Sequence, residues 1–206
     1  MACVSPVFRR RSLLTALIAS GLVLSPLAAP SAPAATAQAA SASAWTVDAA
    51  RSRLQFRATA AGTAFTGRIG RWTAAIRFDP RNLAGSSLNV DIDVGSIRTG
   101  DAQRDESLPT ADWLNTARHP RARFASSQIR SLGGNRYEAV GTLTIRGVSR
   151  PLTLPFTVDI NGANATAQGS IGLNRNAFGV GQGQWASEDT VGRVVTVSFE
   201  VHATRR

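Results

Sequence analysis

Residues 141–156 read Gly-Thr-Leu-Thr-Ile-Arg-Gly-Val-Ser-Arg-Pro-Leu-Thr-Leu-Pro-Phe, and this stretch decides the fold because it contains two strands and the turn between them. On both sides of Gly147, apolar and polar residues alternate with a period of two, which is typical of strands with one apolar face. Gly147 stands where the chain must reverse, and glycine tolerates a positive φ there. Pro151 and Pro155 lack an N–H group, so each must lie where no ladder hydrogen bond is donated. The stretch therefore predicts a β-hairpin.

The same alternation recurs along most of the chain. It predicts further strands at residues 52–60, 63–79, 86–97, 121–132, 163–174 and 191–203, of which 121–132 is weaker and bulged. With the two strands of the hairpin, this makes eight. Eight strands joined mainly by short turns remove their edges by closing into a ring, so the predicted fold is an all-β, eight-stranded antiparallel barrel.

A barrel of this size holds either packed side chains or one slim ligand. Several of the predicted inward positions are small, namely Ala58, Ala74, Ala139, Gly141, Ala165, Ala167 and Gly169. A wall of small residues favours an open lumen. The alternative is that small residues face large ones, so that a filled core interdigitates.

One segment, residues 99–108, interrupts the strand pattern. Asp101 is a good helix N-cap, Asp105 and Glu106 suit the first turn, and Pro109 ends the run, so the segment predicts one short helix. Leu108 and the pair Trp113–Leu114 then place apolar mass at one end of the barrel. We expect this mass to form a lid or plug.

Residues 1–39 carry the features of a secretory signal peptide. Three arginines at 9–11 precede an apolar run from Leu13 to Leu24, which is too short to span a membrane. A small-residue site at Ala37-x-Ala39 follows, with Ala32-x-Ala34 as an alternative, and the arginine pair also fits twin-arginine export. We therefore predict a signal peptide at 1–39, a short linker at 40–44, and a periplasmic or secreted barrel at 45–206.

The positive charge of the chain comes only from arginine, since there is no lysine. Without residues 1–39, which hold three arginines and no acid, the net charge falls from +10 to +7. The arginines are scattered through strands and turns and do not form one block with exposed aromatics. This distribution argues against a nucleic-acid groove and favours a solvated outer face, with peripheral attraction to an anionic membrane surface as a further partner.

This sequence contains few candidates for catalytic or metal-binding residues. The two histidines, His119 and His202, lie before a proline and on the outward face of the last strand, and no Gly-x-Ser-x-Gly elbow exposes a serine. The single cysteine, Cys3, lies in the signal peptide, so the mature chain offers no thiol nucleophile and no cysteine ligand. The glycine-rich residues 178–185 lack the context of a phosphate-binding loop and predict a flexible rim loop. We expect no enzyme, no metal site and no covalent cofactor.

Short motifs follow one another in a specific order from Trp45 to about Val201. They are Trp45-Thr-Val-Asp48, Ser52-x-Leu-x-Phe56, Phe78-Asp79, Ser96-Ile97-x-Thr99-Gly100, Arg104-Asp105-x-x-Leu108, Ala111-Asp112-Trp113, His119-Pro120-x-x-x-Phe124, Gly141-x-Leu-Thr-Ile-x-Gly147-Val148 and Asn174-Arg175-x-x-Phe178-Gly179. In this order, the chain resembles the YceI family of periplasmic lipid-binding proteins. The resemblance implies a lipocalin-like barrel that holds a polyisoprenoid chain.

With this resemblance, the barrel is expected to be a non-catalytic carrier of a long apolar lipid, either a polyisoprenoid or an isoprenoid quinone. The large inward residues are expected to form the wall around it: Phe56, Trp72, Ile76, Phe78, Val90, Ile92, Leu143, Leu154 and Phe156. Arg104, Asp105, Leu108 and Trp113 are expected at the rim. Arg104 and Asp105 either tie the helix to the barrel by an ion pair or contact a polar ligand head. The alternative function is a secreted protein-interaction module with a solid core.

Overall fold

The computed structural model describes residues 42–206, so the predicted signal peptide and residues 40–41 lie outside the described residues. The described chain forms eleven strand segments and one α-helix. The strands are β1 (Ala44–Val47), β2 (Arg53–Ala60), β3 (Thr63–Ile69), β4 (Trp72–Arg77), β5 (Ser87–Asp93), β6 (Ile97–Arg98), β7 (Arg121–Gly133), β8 (Arg136–Ile145), β9 (Val148–Asn161), β10 (Asn164–Asn174) and β11 (Val194–Arg205), and the helix is α1 (Ala102–Ser107).

The strands close into a ring in which all neighbours are antiparallel. The order is β1-β4-β5-β7-β8-β9-β10-β11, and β11 pairs with β1 to complete the circle. The predicted eight-stranded antiparallel barrel is therefore confirmed. Closure follows from the strict alternation of the sequence, because a sheet with one fully apolar face buries that face best by curling around it.

Two of the eight predicted strands are each divided in two, as β3 and β4 and as β5 and β6, and β1 is a further segment that precedes the strand predicted at 52–60. Local structure explains each break. Asp48 accepts hydrogen bonds from the N–H groups of Ala50 and Arg51 between β1 and β2, and Asp93 caps a 3-10 turn at 94–96 between β5 and β6. Between β3 and β4, residues 70–71 shift the inward face from odd to even positions, so the single strand predicted at 63–79 is two strands.

Strand β7 contains the predicted bulge. Its pairing with β8 shifts register between Ser126 and Gln128, and again between Ser131 and Gly133. The extra residue explains why Phe124 and Ile129, which have opposite parity, are both buried.

The turn between β8 and β9 is a two-residue loop, since Ile145 pairs directly with Val148. Arg146 has a φ of 52° and Gly147 a φ of 74°, which is the pattern of a type I′ hairpin turn. Strand β9 pairs with β10 only from Phe156 onward, so both prolines of β9 lie before that ladder begins.

Successive strands run in opposite directions, so the connections 61–62, 99–120, 146–147 and 175–193 all lie at one end, which we call the rim. Among the buried side chains at the opposite, closed end are those of Trp45, Phe78 and Tyr137. The indole N–H of Trp45 donates to the carbonyl of Phe78 at 2.9 Å.

The last residues of the predicted linker already pack on the barrel. Ala44, assigned to the linker from sequence, already belongs to β1, and the carbonyl of Ser43 accepts a hydrogen bond from the N–H of Phe78. Ala42 is buried as well. The backbone of this segment is packed on the closed end because it supplies partners that β4 would otherwise lack.

Two long connections dominate the rim. The helical rim segment is residues 99–120 and contains α1, and the glycine-rich rim segment is residues 175–193 and contains 3-10 turns at 175–178 and 183–185. No helix within residues 42–206 has the length and apolar character needed to cross a bilayer.

Candidate functional site

The barrel encloses a cavity of about 640 Å³. All nine side chains that the sequence predicts for the lumen wall line this cavity: Phe56, Trp72, Ile76, Phe78, Val90, Ile92, Leu143, Leu154 and Phe156. The volume falls within the range of ligand pockets, which is about 300–1,000 Å³. The barrel is therefore hollow, whereas the interaction-module hypothesis assumed a solid core.

The floor of the cavity is an aromatic cluster at the closed end. The rings of Phe78 and Tyr137 meet edge to face with centroids 5.0 Å apart, and Phe156 contacts both. Such pairs add to the stability of the core beyond the area that they bury. This end is consequently filled, and the open volume extends from it toward the rim.

The small inward residues divide into two groups. Ala58, Ala74, Ala165 and Ala167 line the cavity, as the open-lumen interpretation predicted. Two others are small for a different reason, because a Cβ on Gly141 would lie 2.3 Å from the carbonyl oxygen of Ala125 and one on Gly169 would lie 2.5 Å from that of Pro155. Ala139 is fully buried in the core cluster. For these last three residues, close packing is the correct explanation.

Polarity in the cavity is concentrated at the rim. Apart from Ser87, the lining residues with polar side-chain groups other than indole all belong to the two rim segments: Thr99, Gln103, Arg104, Ser107, Arg175 and Thr190. The indoles of Trp113 and Trp185 also line the cavity at this end. The site is thus amphipathic along its axis, with an apolar body and a polar end.

Two carboxylates, those of Asp101 and Asp105, hold helix α1 in place at the rim. Asp101 caps the helix by accepting a hydrogen bond from the N–H of Arg104 at 3.0 Å, as predicted. Asp105 accepts hydrogen bonds from both the N–H and the hydroxyl of Thr99, each at 2.7 Å. Burial raises the pKa of Asp105, but the two hydrogen bonds from Thr99 and the charges of Arg98 and Arg104 together lower its pKa below the usual value.

Arg104 and Asp105 do not form the expected ion pair with each other. The guanidinium of Arg104 instead lies 4.3 Å from the ring centre of Phe65, and its nearest carboxylate is that of Asp101 at 3.8 Å. Adjacent residues on a helix point in different directions, so Asp105 reaches the end of β6 while Arg104 turns toward the cavity. Asp105 still ties the helix to the barrel, through Thr99.

Two buried donors at this end have no partner in the described part of the chain. They are Nε of Arg104 and Nε1 of Trp113, and both side chains line the cavity. A buried N–H group without an acceptor costs about 1–3 kcal/mol, so unpaired donors are uncommon in folded proteins. Their position at the mouth of an apolar cavity matches a ligand that carries a hydrogen-bond acceptor at one end.

The glycine-rich rim segment is organised around Arg175, which is only 4 % exposed. Its guanidinium donates to six backbone carbonyls, those of Val180, Gly181, Trp185, Ser187, Val191 and Gly192. Burial lowers the pKa of this group, and the charge of Glu188 offsets part of that effect. The sequence predicted a flexible loop here, whereas one arginine bonds most of its turns together.

The two rim segments contact each other over the mouth of the barrel. The ring centres of Trp113 and Trp185 are 5.7 Å apart, and the N–H groups of Gly181 and Gln182 both donate to the carbonyl of Asp112. A Cβ on Gly181 would lie 2.2 Å from Nη1 of Arg175, so this position accepts only glycine. Leu108, also predicted at the rim, lines the cavity beside Leu114, which is buried.

Arg146 completes the rim and was not singled out from sequence as a rim residue. From the β8–β9 turn, it donates to the carbonyl of Gly179 in one rim segment and to that of Ala111 in the other. Asparagine or glycine usually occupies this turn position, where φ is positive. The arginine found there instead is the feature of the sequence that could have indicated a special role. Arg175 had a signal too, because it lies within the motif Asn174-Arg175-x-x-Phe178-Gly179.

The two histidines lie at separate places in the fold. His202 lies on the outer face, with Nε2 at 2.9 Å from a carboxylate oxygen of Glu200 and Nδ1 at 3.2 Å from the hydroxyl of Thr166. The ring of His119 packs against Gly147. Residues 42–206 contain no cluster of three metal-ligating side chains.

Comparison with known proteins gives matches over most of the barrel. The model of the YceI-like domain matches residues 45–203. A protein of Escherichia coli O157:H7 named YceI is 42 % identical over 77 residues, which are 37 % of this chain and 40 % of that protein.

Two solved structures share the fold. BcnA of Burkholderia cenocepacia superposes with a TM-score of 0.74 at 34 % identity and covers 77 % of this chain and 100 % of its own. A domain of Saccharophagus degradans described as polyisoprenoid-binding and implicated in plant cell wall breakdown has a TM-score of 0.64 at 15 % identity, over 80 % of this chain and 99 % of its own.

Proposed function

This chain belongs to the YceI-like domain family, and we propose that it is a non-catalytic carrier that binds one long apolar lipid in the barrel lumen. The observation that carries the proposal is the cavity of about 640 Å³ whose wall below the rim is apolar apart from Ser87 and the tryptophan indoles. A lipid tail gains free energy from such a site without any specific polar contact, because each buried methylene contributes about 0.8 kcal/mol.

A polyisoprenoid or the tail of an isoprenoid quinone is the ligand class that we propose. The description of the Saccharophagus degradans domain as polyisoprenoid-binding supports this class, although the likeness at 15 % identity extends only to the fold. Branched, unsaturated chains suit a wall that alternates alanines with bulky rings, because the alanines leave recesses for methyl branches.

The head of the ligand is proposed to lie at the rim. The free N–H groups of Arg104 and Trp113 would each donate to an acceptor on the head, such as a hydroxyl, carbonyl or phosphate oxygen. The rim segment that holds these donors is bonded to the other rim segment through the carbonyl of Asp112 and to the barrel through Arg146. A head bound there would thus meet donors that are already fixed in place.

The experiment is extraction of the purified protein with organic solvent, followed by mass spectrometry of the extract. We expect a co-purifying isoprenoid lipid in a near-stoichiometric amount. A protein that is empty as isolated, and stays empty after incubation with polyprenols and isoprenoid quinones, would contradict the proposal.

The protein is further proposed to act in the periplasm or outside the cell, after cleavage near Ala40. Support comes from the basic start, short apolar run and small-residue site of residues 1–39. Intact-mass measurement of the exported protein tests this, and an exported form that retains residues 1–34 would contradict it.

A further inference from the structure

The barrel wall has an interruption between the strands that begin the chain and those that follow. Strands β1 and β4 pair only at Ala44 with Arg77 and at Trp45 with Ile76, and β2 pairs with β3 only from Gln55 and Arg68 onward. Between these two ladders, residues 46–54 on one side and 69–75 on the other have no mutual pairing. Closed barrels normally leave no open edge, so this gap is a local exception.

The gap opens onto a groove on the outer face of the barrel. Leu54, Ile69 and Trp72 line this groove and also line the lumen. The wall is therefore only one side chain thick at this point. The separation there is made by side chains and not by hydrogen bonds between the two strand segments.

The outer groove is basic. Its lining includes four arginines, Arg53, Arg68, Arg71 and Arg121, and two acids, Asp91 and Asp93. Arg71 is paired with Asp93 at 2.8 Å and Arg53 with Glu200 at 3.0 Å. Arg121 lies opposite Asp93 in the ladder of β5 and β7 without a direct ion-pair contact, and Arg68 forms no ion pair with any carboxylate of the described chain.

Arg68 also lies opposite a second positively charged side chain. It lies directly opposite Arg98 in the ladder of β3 and β6, and Arg98 bonds only to backbone carbonyls. Like charges directly across a ladder are destabilising, and Arg68 has no carboxylate partner that would offset the repulsion. An anion at the surface would remove the repulsion.

From these observations we propose that the gap is a lateral portal: the arginine-rich groove docks on an anionic phospholipid bilayer, and the lipid tail passes there between bilayer and lumen. This inference rests on the proposed lipid-carrier function. Trp72 lies between the basic groove and the apolar lumen, which suits a ring that sits at the boundary of headgroups and acyl chains.

Docking is tested by co-sedimentation of the mature protein with vesicles of phosphatidylcholine, with and without phosphatidylglycerol. Each arginine near an anionic surface contributes roughly fivefold in affinity, so we expect Arg68→Gln with Arg121→Gln to bind the anionic vesicles about 25-fold more weakly. The matched control is Arg136→Gln with Arg150→Gln, which removes the same charge from β8 and β9 on the far side of the ring. Equal loss in both variants would mean diffuse attraction by net charge and would overturn the docking surface.

Passage is tested with a single thiol, because residues 40–206 contain no cysteine. Thr73→Cys places the thiol in the groove, and Thr142→Cys places it on the outer face of β8. We expect a bulky maleimide on residue 73 to slow transfer of an isoprenoid quinone from vesicles by tenfold or more, while the same label on residue 142 has no effect. Equal transfer rates for the two labelled proteins would overturn the portal.

The lipid content of each variant separates this inference from the proposed function. A protein that binds quinone from detergent solution but transfers it equally well after either label is a carrier that fills through the rim. A protein that takes up no lipid under any condition contradicts the carrier itself.

Discussion

The indole N–H of Trp113 is buried at the rim and has no acceptor within residues 42–206. Under the proposed function, the head of the ligand would accept a hydrogen bond from it. Trp113→Phe removes the donor and keeps an aromatic ring. We therefore expect affinity for a polyprenol to fall by up to about tenfold, the range of one hydrogen bond of about 0.5–1.5 kcal/mol.

The matched control is Trp185→Phe, because the ring of Trp185 contacts that of Trp113 and its indole is not among the buried unpaired donors. Each variant is titrated with a polyprenol and with a hydrocarbon that lacks the hydroxyl, which separates recognition of the ligand head from packing of the tail. If Trp113→Phe weakens both ligands equally, the donor does not recognise a head.

Asp105 bonds the helix to the barrel through the buried residue Thr99. Asp105→Ala leaves the N–H of Thr99 without its acceptor, which should lower the free energy of unfolding by about 1–3 kcal/mol. Glu106→Ala, on the exposed neighbour, is the control. Denaturant unfolding measures both, and equal midpoints would show that the contact adds nothing.

The comparison of wild type with Asp105→Ala also predicts a pH dependence. The folded-state pKa of Asp105 is lowered, so its ionised form contributes stability that is fully present above its unfolded pKa of about 4 and is lost as the pH falls through the lower folded pKa. The difference in unfolding free energy between wild type and Asp105→Ala should be constant above about pH 5 and shrink below about pH 4. A difference that grows in acid would contradict the assigned contacts.

At the scale of elements, the glycine-rich rim segment depends on one side chain. Lysine at 175 keeps the charge but has three donors on one nitrogen, so it cannot reach carbonyls spread around a planar guanidinium. Arg175→Lys should destabilise residues 180–192 by on the order of 3 kcal/mol and leave the strands intact.

Amide hydrogen exchange measures this directly, segment by segment. The control is Arg193→Lys, since Arg193 is half exposed and makes only a surface ion pair with Glu188. Exchange that accelerates throughout the barrel in Arg175→Lys would mean that the rim segment is not a separate unit.

For the whole molecule, the question is whether the lumen is occupied by lipid. Ala167 lines the lumen from β10, so Ala167→Phe should displace the tail and remove the co-purifying lipid. The cost to stability should be less than the 1–3 kcal/mol usual for overpacking, because the site is hollow. Melting curves and lipid extraction on the same sample measure both effects.

The control lies one position along the same strand. Gln168 points outward and is exposed, so Gln168→Phe adds the same ring without entering the lumen. Lipid content that falls equally in both variants would show that the effect arises from β10 and not from the lumen.

Sequence alone determined the barrel and the composition of its wall. The alternation of apolar and polar residues is a local property, with a period of two that assigns each side chain to one face, and eight such segments imply closure. That is why all nine predicted wall residues line the cavity. The N-cap at Asp101 and the bulge in β7 were predictable for the same reason, since each depends on residues close together in the chain.

Tertiary structure decided which polar groups meet. Arg146 contacts a carbonyl 35 residues earlier in the chain, and Asp105 bonds to Thr99 while its neighbour Arg104 turns toward Phe65. No periodicity encodes such contacts, because they depend on where the rim segments lie once the ring has closed. The gap between β1–β2 and β3–β4 has the same origin, since each half obeys the strand pattern and only the offset between the two ladders leaves the wall unpaired.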